Sequence, residues 1–386
     1  MSFTETPEQQ ALRNAVSALG HRYGHQYALA KAREHQPLTE LWREAGKLGF
    51  LGANLPEEYG GGGSGMYELA IVQEELAAAG CGLLMMVVSP AICGTVISRF
   101  GTDAQKQAWL PGMSDGSKIM AFGITEPDAG SNSHRITTTA RRDGDDWLLS
   151  GRKVFISGVD QADAVLIVGR TEDARTGKLK PVLFAVPTDA PGFSFQAIEM
   201  DLVMPDRQFM LFLDEVRLPA DALIGEEDAA LGQLFAGLNP ERIMAASMAV
   251  GTGRYALDKA VGYANERTVW GGGPIGSHQG LSHPLAQVKI ELELAKLMTQ
   301  KAAFLYDAGD EMGAGEAANM AKYAAAEASI RAVDQAVQTH GGNGLASEYG
   351  LGTMLAGARV GRIAPVSREM VLNFVAQFSL GLPKSY

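Results

Sequence analysis

The stretch DDWLLSGRKVFISG, residues 145–158, decides what kind of fold this chain has. It is rich in Trp, Leu, Val, Phe and Ile, and it begins within the turn signal Asp143-Gly144-Asp145. Runs of this kind bounded by turn residues read as β-strands. Four more follow in close order: ADAVLIVGRT (162–171), PVLFAVPT (181–188), FSFQAIEM (193–200) and FMLFLDEVRLP (209–219). No helical run separates them, which argues against a parallel Rossmann sheet. Residues 117–226 are therefore expected to form a small all-β domain.

On both sides the pattern turns helical. Residues 1–116 contain TPEQQALRNAVSALGHRYG, which opens on a proline-marked helix start, and PLTELWREAGKLGFLGANLP, which ends at a proline. After the glycine-rich break YGGGGSG (59–65), MYELAIVQEELAAAG and PAICGTVISRFG resume the helical spacing, with Gly80 and Gly101 as expected C-terminal caps. The glycine run is no phosphate loop, because no strand precedes it and no Gly-Lys-Ser/Thr follows. Residues 227–386 carry amphipathic runs over about 239–268, 282–309 and 314–340, interrupted by GGGPIG and HGGNG. The order is helical, β, helical: an α+β chain of three domains, 1–116, 117–226 and 227–386.

Composition narrows the function. With 46% hydrophobic and 20% charged residues in a chain of 386, a large core can be buried. A net charge of −11 argues against nucleic acid as a partner. Two cysteines, Cys81 and Cys93, make no disulfide framework and suit a reducing compartment. The start, MSFTETPEQQALRNAV, has no signal-peptide core, and no apolar run is long enough to span a bilayer. The cytoplasm is the expected location. His21 and His25 stand at a metal-compatible spacing, but no third ligand is evident, so no metal site is expected. Ser131 follows a glycine without a nucleophile-elbow pattern, which speaks against a serine hydrolase.

The stretch GLNPERIMAASMAVGTG (237–253) poses a chemical question. Asn239-Pro240 reads as a helix start, followed at once by Glu241 and Arg242. Beyond them the residues are small and apolar, suited to a helix packed on several sides, and Gly251 and Gly253 suit close approach. Glu241 is either a first-turn acid that complements the helix dipole or a carboxylate at the floor of an apolar site. These residues alone leave both readings open.

The segment AFGITEPDAGSNSHRITTTARRDGDDWLLSGRKVFISG (121–158) is more specific. It resembles the acyl-CoA dehydrogenase family, whose T-E-P-x-A-G-S motif stands as Thr125-Glu126-Pro127-Asp128-Ala129-Gly130-Ser131. The family's N-G-x-K-x-[WF]-I-[ST] segment stands as Ser150-Gly151-Arg152-Lys153-Val154-Phe155-Ile156-Ser157, and LPEEYGG, YANERTVWG and AVQTHGGNG follow the expected order. The likeness runs along nearly the whole chain. It implies an N-terminal helical domain, a middle small β-barrel domain and a C-terminal four-helix bundle. It also implies FAD held between the β domain and the bundle, partly by a neighbouring subunit of a homotetramer, with electrons passing to an electron-transferring flavoprotein. By motif, Phe122, Ile124 and Thr125 lie along the isoalloxazine, Phe155 stacks near the ring and Ser157 reaches N5. Gly130, Ser131 and Ser367 join the cofactor set. Trp270 joins the same set, and Arg267, Gln279, Gln338 and Gly342 hold the dinucleotide of the partner subunit. Ser131 also lies near the entrance for the acyl-CoA substrate, and Arg242 packs beneath the site.

The resemblance bears on the base. In many family members the catalytic glutamate sits in a C-terminal Y-E-G-T motif; counted from Gly341-Gly342-Asn343, its place here falls on Pro365 of IAPVSREM (363–370). A minority, including isovaleryl- and long-chain-specific types, carries it on the pocket-lining helix instead, in a pattern that LNPERI resembles. The resemblance therefore implies Glu241 as the base for α-proton removal. Pro365 has no N–H to polarise the thioester carbonyl, which leaves Val366 to supply one or the oxyanion site weaker. The segment YGLGTMLAGARVGR (349–362) also lacks the charged pattern usual there, and its glycines imply a looser helix. Alternatives of the same fold are a desaturase of carrier-bound acyl groups, a flavin monooxygenase, or a redox-silent helical assembly protein. Bleaching of bound flavin by acyl-CoA separates enzyme from scaffold.

Overall fold

A computed structural model describes residues 4–173, 176–227, 230–269 and 271–384; the expected cofactor residue Trp270 lies outside the described residues. The N-terminal unit is helical: α1 (Pro7–Arg33), α2 (Thr39–Lys47), α3 (Met66–Ala78), α4 (Leu84–Met86), α5 (Thr95–Phe100) and α6 (Asp103–Asp115). Reciprocal capping boxes start two of them, Thr6 with Gln9 on α1 and Thr102 with Gln105 on α6. Gly80 follows α3 in the left-handed region, φ 84°, as a cap requires. Gly101 does not: it closes α5 in extended backbone, φ −68° and ψ 152°. Between α4 and α5 the chain stays helical but widens to a π-turn, Val87–Gly94, around Pro90.

The middle unit holds β1 (Met120–Gly123), β2 (Thr139–Asp143), β3 (Asp146–Ser157), β4 (Ala164–Glu172), β5 (Leu179–Pro187), β6 (Phe193–Ile198) and β7 (Gln208–Leu218). They form one seven-stranded sheet in the order β1-β4-β2-β3-β7-β6, with β5 also on β4. Most pairs are antiparallel; β1 runs parallel to β4 and is buried along its whole length. The two-residue Gly144-Asp145 turn joins β2 to β3, with Gly144 at φ 65°. No ladder among the described residues joins β6 to β1 or β5.

The C-terminal unit consists of three long helices, α7 (Ala230–Glu266), α8 (Gln279–Asp307) and α9 (Glu311–His340), with shorter α10 (Met354–Val360) and α11 (Arg368–Phe374). Small residues set the close packing. A Cβ on Gly251 would stand 2.3 Å from the Glu74 carbonyl oxygen, and one on Gly253 would stand 2.5 Å from Leu292 Cδ2. The Asp307 carboxylate accepts the Met66 and Tyr67 N–H groups at 2.7 and 2.9 Å, capping α3 from the bundle; burial lifts its pKa to about 6.

One expectation fails. Asn239-Pro240 does not start a helix: α7 begins at Ala230 and runs through Pro240. An interior proline leaves the carbonyl four residues back without its N–H partner. Here that carbonyl, on Ala236, accepts from the Tyr306 hydroxyl of α8 at 3.2 Å. A distant side chain thus replaces the missing donor.

Candidate active site

The loop after β1 is held by a buried ion pair. Lys153, fully buried on β3, donates to Glu126 Oε1 at 2.9 Å and to the carbonyls of Ile124 (3.1 Å) and Val168 (2.7 Å). Glu126 also accepts from the backbone N–H and hydroxyl groups of Thr137 and Thr138, at 2.6 to 2.9 Å. These bonds hold its carboxyl at about 2 against the cost of burial. Burial draws Lys153 down to about 8, so both partners are charged at neutral pH. Val154 N–H donates to the Thr125 carbonyl at 3.0 Å. Phe122, Ile124 and Thr125 are thereby fixed against β3.

The ladder between β3 and β7 is broken at this point: Lys153 pairs Leu211 and Ile156 pairs Phe209, leaving Val154 and Phe155 opposite Met210. Phe155 lies in the left-handed region at φ 58°, and 56% of its surface is exposed. A non-glycine residue there costs about 1–3 kcal/mol, and the bulge turns its ring away from the core. Ser157 lies half-buried two residues on, with its hydroxyl donating to Gln208 Oε1 at 3.0 Å. Gly130 and Ser131 sit exposed on the same loop as Thr125, with open space where a Gly130 Cβ would stand. An exposed ring in a strained conformation beside free backbone fits a flat aromatic group.

Glu241 lies across an apolar cluster from this loop. Ile92, Cys93 and Val96 pack with Phe122, and Ile124 and Leu238 border the same cluster. Cys93 spans the gap: its thiol donates to the Ala121 carbonyl at 3.5 Å, and its pKa is raised by burial and by the Glu241 charge. Glu241 is half-buried and makes no hydrogen bond or ion pair among the described residues. Desolvation raises its pKa to about 7, against the lowering effect of Arg242 and Lys322. Arg242 donates to the Leu238 carbonyl at 3.0 Å and reaches Asn239 Oδ1 at 3.4 Å. Glu369 is different: its side chain is 74% exposed and leans on Arg368 at 3.8 Å. Pro365, with a cis Ala364–Pro365 bond, precedes Val366, whose carbonyl accepts from Lys322. Ser367 caps α11, its hydroxyl accepting the Met370 N–H at 3.3 Å.

A second cluster lies where α7 and α9 end together. Tyr263 stacks on His340 at 4.3 Å between ring centroids, and Asn343 donates to the Tyr263 hydroxyl at 3.1 Å. Arg267, Gln279, Gln338 and Gly342 are all exposed around this end. Arg267 has no ion-pair partner among the described residues, and a Gly342 Cβ would meet open space. An unpaired guanidinium beside accessible backbone fits a pyrophosphate.

The sequence assigned no role to Glu126 and Lys153, although both stand inside the two motifs, and it missed Lys322, a charge in the apolar run MAKYAAA.

Three family models match the chain in register: acyl-CoA dehydrogenase N-terminal domain over residues 6–117, middle domain over 121–216 and C-terminal domain over 232–380. This chain belongs to the acyl-CoA dehydrogenase family. Acyl-CoA dehydrogenase FadE12 of Mycobacterium tuberculosis is 71% identical over 385 residues, covering 100% of this chain and 99% of that protein. Long-chain specific acyl-CoA dehydrogenase of Sus scrofa mitochondria is 33% identical over 341 residues, covering 88% of this chain and 78% of that one. Among solved structures, a glutaryl-coenzyme A dehydrogenase in complex with glutaryl-CoA matches with a TM-score of 0.94 at 32% identity, covering 100% of this chain and 98% of that chain. In this acyl-CoA dehydrogenase, the apolar cluster that contains Phe122 and Cys93 lies between the loop after β1 and Glu241.

Proposed function

We propose that this acyl-CoA dehydrogenase removes the α-proton of its substrate with Glu241. The chain carries out FAD-dependent dehydrogenation of an acyl-CoA thioester, and close relatives are named acyl-CoA dehydrogenases. Bound FAD supplies the acceptor for the β-hydride at N5. The rest falls to the protein. Phe122, Ile124, Thr125, Gly130, Phe155 and Ser157 frame the ring, and Ser131 borders the thioester entrance. Arg267, Gln279, Gln338 and Gly342 take the dinucleotide of a partner subunit. The apolar cluster excludes water from the reacting carbons, and Val366 N–H, which has no acceptor among the described residues, is free to donate to the thioester oxygen. The observation that carries the reading is Glu241 itself: a carboxylate without a hydrogen-bond partner among the described residues, lifted to about 7 beside an apolar cluster that contains Phe122 and is bordered by Ile124. A base whose pKa lies near the working pH takes a proton most effectively.

We also infer a homotetramer. On α8, Ile290, Leu294, Leu297 and Phe304 are exposed along one helical face, and a partner subunit would cover them. An electron-transferring flavoprotein is the proposed acceptor, and the reduced, buried Cys81 and Cys93 support a cytoplasmic setting. Domain boundaries are set after residues 116 and 226.

The test is stopped-flow bleaching of bound flavin, first across a panel of acyl-CoA thioesters and then in variants. Glu241→Gln keeps FAD and substrate binding but slows bleaching by at least ~10²-fold, and Glu369→Gln stays fast. A fast Glu241→Gln enzyme refutes the assignment.

A further inference from the structure

Lys322 has a place in the site that neither the motif set nor the family match assigns. It lies on α9, 3% exposed, where α9 packs on the Asn239–Arg242 turn of α7. The contact is close on both sides: a Cβ on Gly315, two turns earlier on α9, would stand 3.4 Å from Asn239 Oδ1. Among the described residues, the Lys322 ammonium makes one hydrogen bond, to the Val366 carbonyl in the turn after Pro365. Among the same residues it forms no ion pair within 4.0 Å, although it interacts electrostatically with Glu241. A lysine buried without a salt bridge costs stability, and that cost points to a use for its charge nearby.

We propose that Lys322 is a positioning residue of this active site: its ammonium holds the Pro365–Val366 turn and places a fixed positive charge opposite Glu241. This rests on Glu241 being the base. The turn it holds carries the Val366 N–H, the donor left where proline removes one. The charge favours the ionised form of Glu241, the form that accepts the α-proton. It also faces the negative charge that develops on the thioester as that proton leaves.

Lys322 is not the only cation at Glu241, but it alone also holds the Val366 turn. On α7, Arg242 acts more strongly on Glu241, and its Nη1 donates to the Leu238 carbonyl and reaches Asn239 of its own helix. On the π-turn, Cys93 stays a neutral thiol because burial and Glu241 both raise its pKa. On α11, exposed Glu369 favours the charged form of Lys322, as does Glu327 further along α9. Glu327 is itself neutralised by Arg362, at 2.6 Å, and by Arg368, at 3.7 Å. Burial and Arg242 lower Lys322 to about 8, so it remains a cation at neutral pH.

The test uses the FAD-loaded enzyme and two readouts that need no turnover. The Glu241 carboxyl is titrated by infrared difference spectroscopy, its band identified by its loss in Glu241→Gln. Lys322→Gln keeps a donor for Val366 and removes the charge; the midpoint then rises by about one pH unit, the effect of one charge several ångströms away at intermediate dielectric. Lys322→Arg returns the midpoint toward the parent value. Lys322→Met removes charge and donor together, and hydrogen exchange at the Val366–Arg368 amides speeds up; in Lys322→Gln it does not. With substrate, the acid limb of flavin reduction in Lys322→Gln moves with the carboxyl midpoint, so the rate at a pH one unit below the parent midpoint falls up to about tenfold. An unmoved midpoint in Lys322→Gln overturns the charge role, and unchanged exchange in a folded Lys322→Met overturns the anchoring role. If Lys322→Met does not fold, the Gln and Arg variants still decide the charge role. A fast Glu241→Gln enzyme would instead refute the base and leave the titration readable.

Discussion

Glu241→Gln should make this protein more stable at alkaline pH. The wild-type carboxyl titrates near 7 in the folded chain against 4.5 for an ordinary glutamate. The sign follows from proton binding. Between those two values the folded state holds more protons than the unfolded one, so stability falls as pH rises through that window. Below about 4.5 both states are protonated and nothing is lost; above about 7 the loss is complete. A displacement of about 2.5 units corresponds to at most ~3.4 kcal/mol. Glu241 is only half-buried, and solvent reduces this to roughly 1–3 kcal/mol. The glutamine carries no charge to desolvate, so the variant escapes the loss. For a chain this long each kcal/mol moves Tm by about 1 °C, which predicts a gain of about 1–3 °C. Thermal unfolding of the FAD-loaded protein, followed near pH 5 and near pH 8.5, reads the difference. The offset between variant and wild type should widen at the higher pH. An offset of equal size at both pH values, or a variant less stable near pH 8.5, would refute the reasoning.

Arg267→Ala should weaken FAD binding by about 10–100-fold, since a charge-assisted hydrogen bond contributes about 1.5–3 kcal/mol. Because the pyrophosphate is proposed to belong to a partner subunit, flavin loss on dialysis and tetramer dissociation in sedimentation should go together; full flavin content removes Arg267 from the site. Lys153→Met should destabilise the chain by about 3–5 kcal/mol in thermal or urea unfolding, because it strands the buried Glu126 charge. Adding Glu126→Gln should recover part of that loss, and a Lys153→Met protein of unchanged stability would show that the pair does not hold the loop.

How far the sequence carries depends on how local the cause is. β3 and β4–β7 were legible because apolar runs alternate with turn residues inside a short window. β1 and β2 were not: MAFG is four residues long and buried throughout, and TARRD carries two arginines and an aspartate. Asn239-Pro240 misled for a related reason. Local rules place proline in a first turn, but the group that makes it tolerable inside α7 is the Tyr306 hydroxyl, which lies on α8. The motifs marked Phe122–Ser131 and Phe155–Ser157 as a set, yet nothing in the letters showed that Phe155 leaves the core through a left-handed bulge. Lys153 and Lys322 could be seen as charges in apolar runs, but their partners, Glu126 and Val366, lie far off in sequence.

The corrected start of α7 also bears on the choice between the two readings of Glu241. As a first-turn acid it would meet the positive end of the helix dipole and the unpaired N–H groups there. With α7 starting at Ala230, Glu241 stands eleven residues further on, about three turns in. The dipole effect has decayed by then, and the backbone around Glu241 has no free N–H to offer. The dipole therefore gives no reason for a carboxylate here, while desolvation works against one. What the position does provide is rigidity from outside the helix. The carbonyls of Ala236 and Leu238 are held by Tyr306 and Arg242, so the turn that presents Glu241 is braced although Pro240 interrupts its hydrogen bonding. A charge kept at a loss of stability, on a braced turn facing an apolar cluster, matches what proton abstraction requires and what helix stability does not.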